Sequence, residues 1–174
     1  MKSKIISFII GGMIGFCLWS IQVNASPIGA TTDAEMSVSE ARKILKDNAI
    51  DVPEDIREVC EDVSEETGVL AEVLEAMAWK ESRFTPNVKS KDGKCIGLLQ
   101  VNPTIHKERM KRLKANNLYD IEDNVRVGGD YLQELCESNS LETALNKYNG
   151  STNGNTYGKK VIEVAQALEV CYWD

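Results

Sequence analysis

Apolar positions recur at three- and four-residue intervals along most of the chain, which is the period of an α-helix. Ser39 opens a short helix of modest strength, EARKILKDN. Pro53 stands where a first helical residue often stands, and Ile56, Val59, Cys60 and Val63 follow at helical spacing. Gly68 interrupts. From Val69 to about Ser82 runs the strongest helical segment, VLAEVLEAMAWKES. Phe84-Thr85-Pro86-Asn87 stops it, because the residue before a proline is pushed out of helical geometry. After the loop NVKSKDGKCIG comes a short apolar piece, Leu98 to Val101. Pro103 can begin a helix through about Lys114, which Asn116-Asn117 breaks. Further helices are expected from Asp120 to about Glu137, from Leu141 to Tyr148, and from about Tyr157 to Val170 beyond the turn NGSTNGN. No alternating strand pattern, repeat, dinucleotide loop or phosphate loop is found. The pattern predicts an all-α fold in one compact domain.

The first segment changes the picture by setting a compartment. Lys2 and Lys4 precede an apolar run from Ile5 to about Ile21, followed by Val23-Asn24-Ala25-Ser26. A positive start, an apolar middle and a V-x-A site make a secretory signal peptide, cleaved after Ala25. The competing reading is an uncleaved membrane anchor, at the short edge of what spans a bilayer. Cys17 lacks the small neighbours of a lipid-attachment site. The expected organisation is therefore 1–25 signal peptide or anchor, 26–52 leader and short helix, and 53–174 catalytic domain. Export implies a place in the cell wall or outside the cell, with membrane contact only if the first segment stays attached.

Charge and cysteines narrow the chemistry. The chain has 20 basic and 27 acidic side chains and a formal charge of −7. That balance argues against nucleic acid, whose binding rests on neutralising phosphates. Four cysteines follow the first segment: Cys60, Cys95, Cys136 and Cys171. An even number in an exported chain favours disulfides, with three pairings open and buried free thiols as the alternative. No C-x-x-C occurs and there is a single histidine, so neither a metal site nor a cofactor is expected.

Leu70, Leu74, Met77 and Glu81 are spaced 4, 3 and 4 residues apart, so an apolar helical face ends in a carboxylate. Apolar surroundings and the negative end of the helix dipole both favour the protonated carboxyl. A carboxyl kept partly protonated is what a glycosidic oxygen needs as its proton donor. By position alone Glu81 reads more readily as a solvated charge paired with Lys80 or Arg83, as most helical glutamates are.

The surrounding motifs carry more. Glu81-Ser82 is followed by Phe84, Pro86 and Ser90, then by Gly97-Leu98-Leu99-Gln100 with Val101 and Pro103. Asn124, Gly128, Tyr131 and Leu132 form a third motif, and Ala144, Tyr148, Asn149 and Gly150 a fourth. In this order and spacing, over about residues 55 to 155, they resemble the soluble lytic transglycosylases, goose-lysozyme-like enzymes of peptidoglycan turnover. Leu99 for the family's Met is a volume-conserving change.

The resemblance implies a lysozyme-like helical fold with a groove for alternating N-acetylmuramic acid and N-acetylglucosamine. Glu81 would be the catalytic acid and then base, giving a 1,6-anhydro product without water. Ser90, Gln100, Tyr148 and Asn149 match substrate-binding positions, while Ser82 and Tyr131 match structural supports. Ser90 could instead cap a turn, and Gln100 tie down backbone. His106 is expected at the surface or groove edge. Small enzymes of this kind also serve secretion or conjugation machinery, and nothing in the chain points to such a partner.

Two rival functions stay open at this point. A hydrolytic muramidase would need a second carboxylate, for which Asp92 is the one candidate in the loop, although Asp92-Gly93 more readily makes a turn. A catalytically inactive wall-binding module is the other, and intact Glu81, Ser90, Gln100 and Tyr148 speak against it.

Overall fold

The computed structural model describes residues 36–150 and 156–173. The signal or anchor segment, Cys17 and nearly all of the leader lie outside them, as do residues 151–155 of the NGSTNGN turn. The described residues form seven helices: α1 Val38–Asp47, α2 Glu54–Thr67, α3 Ala71–Ser82, α4 Lys107–Leu113, α5 Ile121–Cys136, α6 Leu141–Tyr148 and α7 Tyr157–Tyr172. Only two isolated antiparallel bridges, Lys89 with Ile96 and Ile96 with Val101, break the all-α pattern.

Local chemistry explains most boundaries. The side chains of Ser37, Asp120 and Ser140 accept the N–H groups of Glu40, Asp123 and Thr143, capping α1, α5 and α6. Gly68 takes φ +73° and ends α2 in the left-handed conformation that glycine reaches without strain. Two expectations need correction. The helix expected from Pro103 begins only at Lys107, because Asn102 Oδ1 accepts from the N–H groups of Thr104 and Ile105 and holds a turn there. The end of α3 is set before Pro86 can act. Arg83 and Phe84 both adopt positive φ, 54° and 58°, and turn the chain at once.

Helix α3 lies at the centre, packed on α2 and α7; α5 packs on α2 and α6, α6 on α7, α1 on α7 and α4 on α5. The single-stripe expectation for α3 gives way here, because Val73 to Trp79 are all buried. A helix that is buried all round must be a core helix. Leu70, assigned to the stripe, precedes the first turn of α3 and is 47% exposed.

The expected disulfides are not formed. Cys60, Cys95, Cys136 and Cys171 are all free thiols. They sit on separate pieces of structure: within α2, in the loop after α3, at the last residue of α5 and near the end of α7. Burial pushes the Cys60 thiol well above its ordinary pKa, so it is an inert core group.

Candidate active site

Helix α3 carries Glu81 one residue before its end, where α6 finishes and α7 starts. Asn149, capping the end of α6, and Tyr157, the first residue of α7, both stand beside the Glu81 carboxylate. Burial pushes the carboxyl above the usual glutamate range. The polar groups of Tyr157 and Asn149 and the charge of Lys80 pull it back without cancelling the shift. The Glu81 carboxyl is thus a weaker acid than a free glutamate. Ser82 Oγ donates to the Ala78 carbonyl at 3.0 Å and accepts from Thr85 N–H at 3.2 Å, securing the turn that follows.

The loop from Phe84 to His106 is fastened mostly to itself. Ser90 Oγ donates to Asp92 Oδ1 at 2.6 Å and accepts from Cys95 N–H at 2.9 Å. The Ser90 bond, with help from Lys94, draws the exposed Asp92 carboxyl down to about 2. Gln100 adopts φ +50° and donates its side-chain amide to the Gly97 carbonyl at 2.8 Å. Ser90 and Gln100 thus both engage loop atoms. Among the described residues no group of three or more His, Cys, Asp or Glu side chains could hold a metal ion.

Asn124 joins the loop to α5. Its side-chain oxygen accepts from Leu99 N–H at 2.7 Å, and its amide donates to the carbonyls of Leu118 at 2.7 Å and Ile96 at 2.9 Å. Gly97 makes room: a Cβ there would stand 2.1 Å from the Leu118 carbonyl oxygen and 2.2 Å from Asn124 Nδ2. Gly128, one turn further along α5, lets Leu99 and Tyr148 approach.

Tyr148 donates its hydroxyl to the Leu99 carbonyl at 2.9 Å. Its ring lies 5.3 Å from Tyr131, whose other neighbour is His106 at 4.5 Å. His106 therefore has partners, as Arg109 also reaches its Nδ1 at 3.4 Å. Burial and the Arg109 charge keep the imidazole below its ordinary pKa. Arg109 lies over the Tyr131 ring and pairs with Asp130 and, at 2.7 Å, Glu134.

Tyr157 is the site residue that sequence reasoning passed over. Its only signal was an aromatic at the start of the last helix, and no helical spacing links it to Glu81, 76 positions earlier. The motif residue Asn124 was visible, but not its three bonds to the loop.

Seven helices, one of them buried at the centre with a carboxyl of raised pKa at its end, define a lysozyme-like helical domain. The chain belongs to the transglycosylase SLT domain family, whose model matches residues 58–166. That family's activity is of the lytic transglycosylase type, directed at peptidoglycan. No curated protein and no solved structure matches the chain significantly.

Proposed function

We propose that this protein is an exported lytic transglycosylase that cleaves the β-1,4 bond between N-acetylmuramic acid and N-acetylglucosamine, with Glu81 as acid and then base. The protonated Glu81 carboxyl gives its proton to the bridging oxygen as the bond to the muramic acid C1 breaks, and the N-acetylglucosamine leaves as an alcohol. The resulting carboxylate takes the proton of the muramic acid 6-hydroxyl as that oxygen bonds to C1. A 1,6-anhydro ring closes, Glu81 regains its proton, and no water is consumed. Tyr157 and Asn149 hold the carboxylate between the two transfers.

The observation that supports this reading most is the environment of Glu81: partly buried, faced by the neutral side chains of Tyr157 and Asn149, and raised in pKa. Hydrolysis through Asp92 is disfavoured, because that carboxylate is occupied by Ser90 and by the N–H and ammonium of Lys94. Tyr148 and Asn149 would border the sugar beside Glu81, with Ser90 and Gln100 shaping the loop wall that faces it. The test is mass spectrometry of digested peptidoglycan. Anhydro ends from the native protein and none from Glu81→Gln are expected; reducing ends would make it a muramidase, and no products from the native protein would leave a binding module.

A further inference from the structure

In a chain of net charge −7, three cations gather around one side chain beside Glu81. The Arg83 guanidinium carbon lies 4.1 Å from the Trp79 ring centroid, and the Lys80 and Lys160 ammonium nitrogens each lie 5.9 Å from it. Trp79 and Lys80 are in the last turns of α3, and Arg83 is the residue that ends it. Lys160 stands one turn beyond Tyr157, the α7 residue beside Glu81. The patch therefore borders the carboxyl assigned above as the acid.

Its charges are poorly compensated from within. Lys160 pairs with Glu163 at 2.9 Å, whereas Arg83 and Lys80 make no ion pair among the described residues. The end of α3 favours cations through the helix dipole, which accounts for some positive charge there but not for three on one ring. Arg83 is held in a particular way. Its guanidinium carbon stands over the Trp79 ring, and among the described residues its N–H groups make no side-chain hydrogen bond or ion pair, so the fork can take a carboxylate two bonds at a time. Its left-handed backbone, φ 54°, is a conformation that a non-glycine residue adopts at a cost. Here that turn brings the guanidinium over Trp79.

We propose that Arg83, lying over Trp79 and assisted by Lys80 and Lys160, is a subsite for a carboxylate carried by the substrate beside the cleaved bond. This rests on the peptidoglycan reading and adds a charge requirement to it. Two sources offer the group: the stem peptide, or the lactyl side chain of a muramic acid that has lost its peptide.

The test uses the full-length Glu81→Gln protein, so that ligands bind without being cut, and measures affinity by calorimetry at low salt. The probes are three tetrasaccharides of alternating N-acetylglucosamine and N-acetylmuramic acid. One carries stem dipeptides with free carboxylates, one carries the same dipeptides amidated, and one has free lactyl acids and no peptide. At least one acid form should bind on the order of fivefold tighter than the amidated form, as expected of a charge-assisted bond at a partly exposed site. Whichever acid shows the gain identifies the source. Adding Arg83→Gln and Lys80→Gln should bring all three affinities within about twofold, while Arg83→Lys should keep part of the preference. Equal binding of acids and amide, or a preference that survives the double substitution, overturns the subsite while leaving the glycan reading intact. Failure of every tetrasaccharide to bind overturns both.

Discussion

The side-chain oxygen of Asn124, on α5, accepts the backbone N–H of Leu99 at 2.7 Å across 25 positions of sequence. With two further bonds to the carbonyls of Ile96 and Leu118, this one fully buried amide ties the Gly97–Gln100 turn to the helical core. Asn124→Leu keeps roughly the volume but strands the Leu99 N–H and the Leu118 carbonyl, while the Ile96 carbonyl keeps the Val101 N–H at 3.0 Å. Buried groups left unbonded cost about 1–3 kcal/mol each before relaxation. A loss of about 3 kcal/mol in urea unfolding is expected, with peptidoglycan cleavage falling at least tenfold as the turn loosens.

Gly128→Ala tests close packing behind the same turn. The added methyl would meet Leu99 Cδ1 at 2.6 Å and the Tyr148 hydroxyl at 2.9 Å. Alanine favours a helix by about 1 kcal/mol over glycine, whereas overpacking costs typically 1–3 kcal/mol. The clash should win, lowering Tm by several degrees and weakening the bond from Tyr148 to Leu99.

Glu81 and Tyr157 together predict a pH shift. In the proposed mechanism cleavage needs the protonated carboxyl, so the rate should fall as pH rises through the raised pKa of Glu81. The Tyr157 hydroxyl beside the carboxylate favours the ionised form, and its removal lets that pKa rise further. Tyr157→Phe should therefore move the alkaline limb of the pH–rate profile to higher pH. A shift to lower pH would contradict the assigned direction.

A second buried carboxyl makes stability itself pH-dependent. Glu75, inside α3, accepts the Tyr172 hydroxyl at 2.7 Å, and the Arg57 Nε lies 3.9 Å from it. Burial raises its pKa to about 7, with the Tyr172 bond and the Arg57 charge only partly opposing. A raised folded pKa gives a contribution that is fully present below the unfolded value and lost as pH climbs through the folded one. Native stability should thus decline by up to about 3 kcal/mol between pH 4.5 and 8 from this group. Glu75→Gln, which stays neutral and can still accept from Tyr172, should remove most of that decline and be the more stable protein at pH 8.

The free thiols make a simpler prediction. Reductant should leave Tm unchanged, and Cys60, Cys95, Cys136 and Cys171 should all react with a thiol reagent once the chain is unfolded without reductant. Protection of any pair would mean a disulfide.

Helical periodicity by itself determined the all-α class and placed α5 and α6 within a residue or two, because each presents one apolar face and begins at a side chain able to cap it. The ordered motifs around Glu81 determined the family in the same way, since they are local strings readable without coordinates. Tertiary structure decided the rest. Only packing shows that α3 is buried all round, because a central helix has no polar face to mark its sides. Only the meeting of α3, α6 and α7 brings Tyr157 and Asn149 to Glu81, and only loop geometry ties Ser90 to Asp92. The even cysteine count pointed towards disulfides, but a count carries no distances, and the fold leaves all four thiols apart. Sequence periodicity reports which face of an element is apolar; which side chains converge across elements depends on how those faces pack.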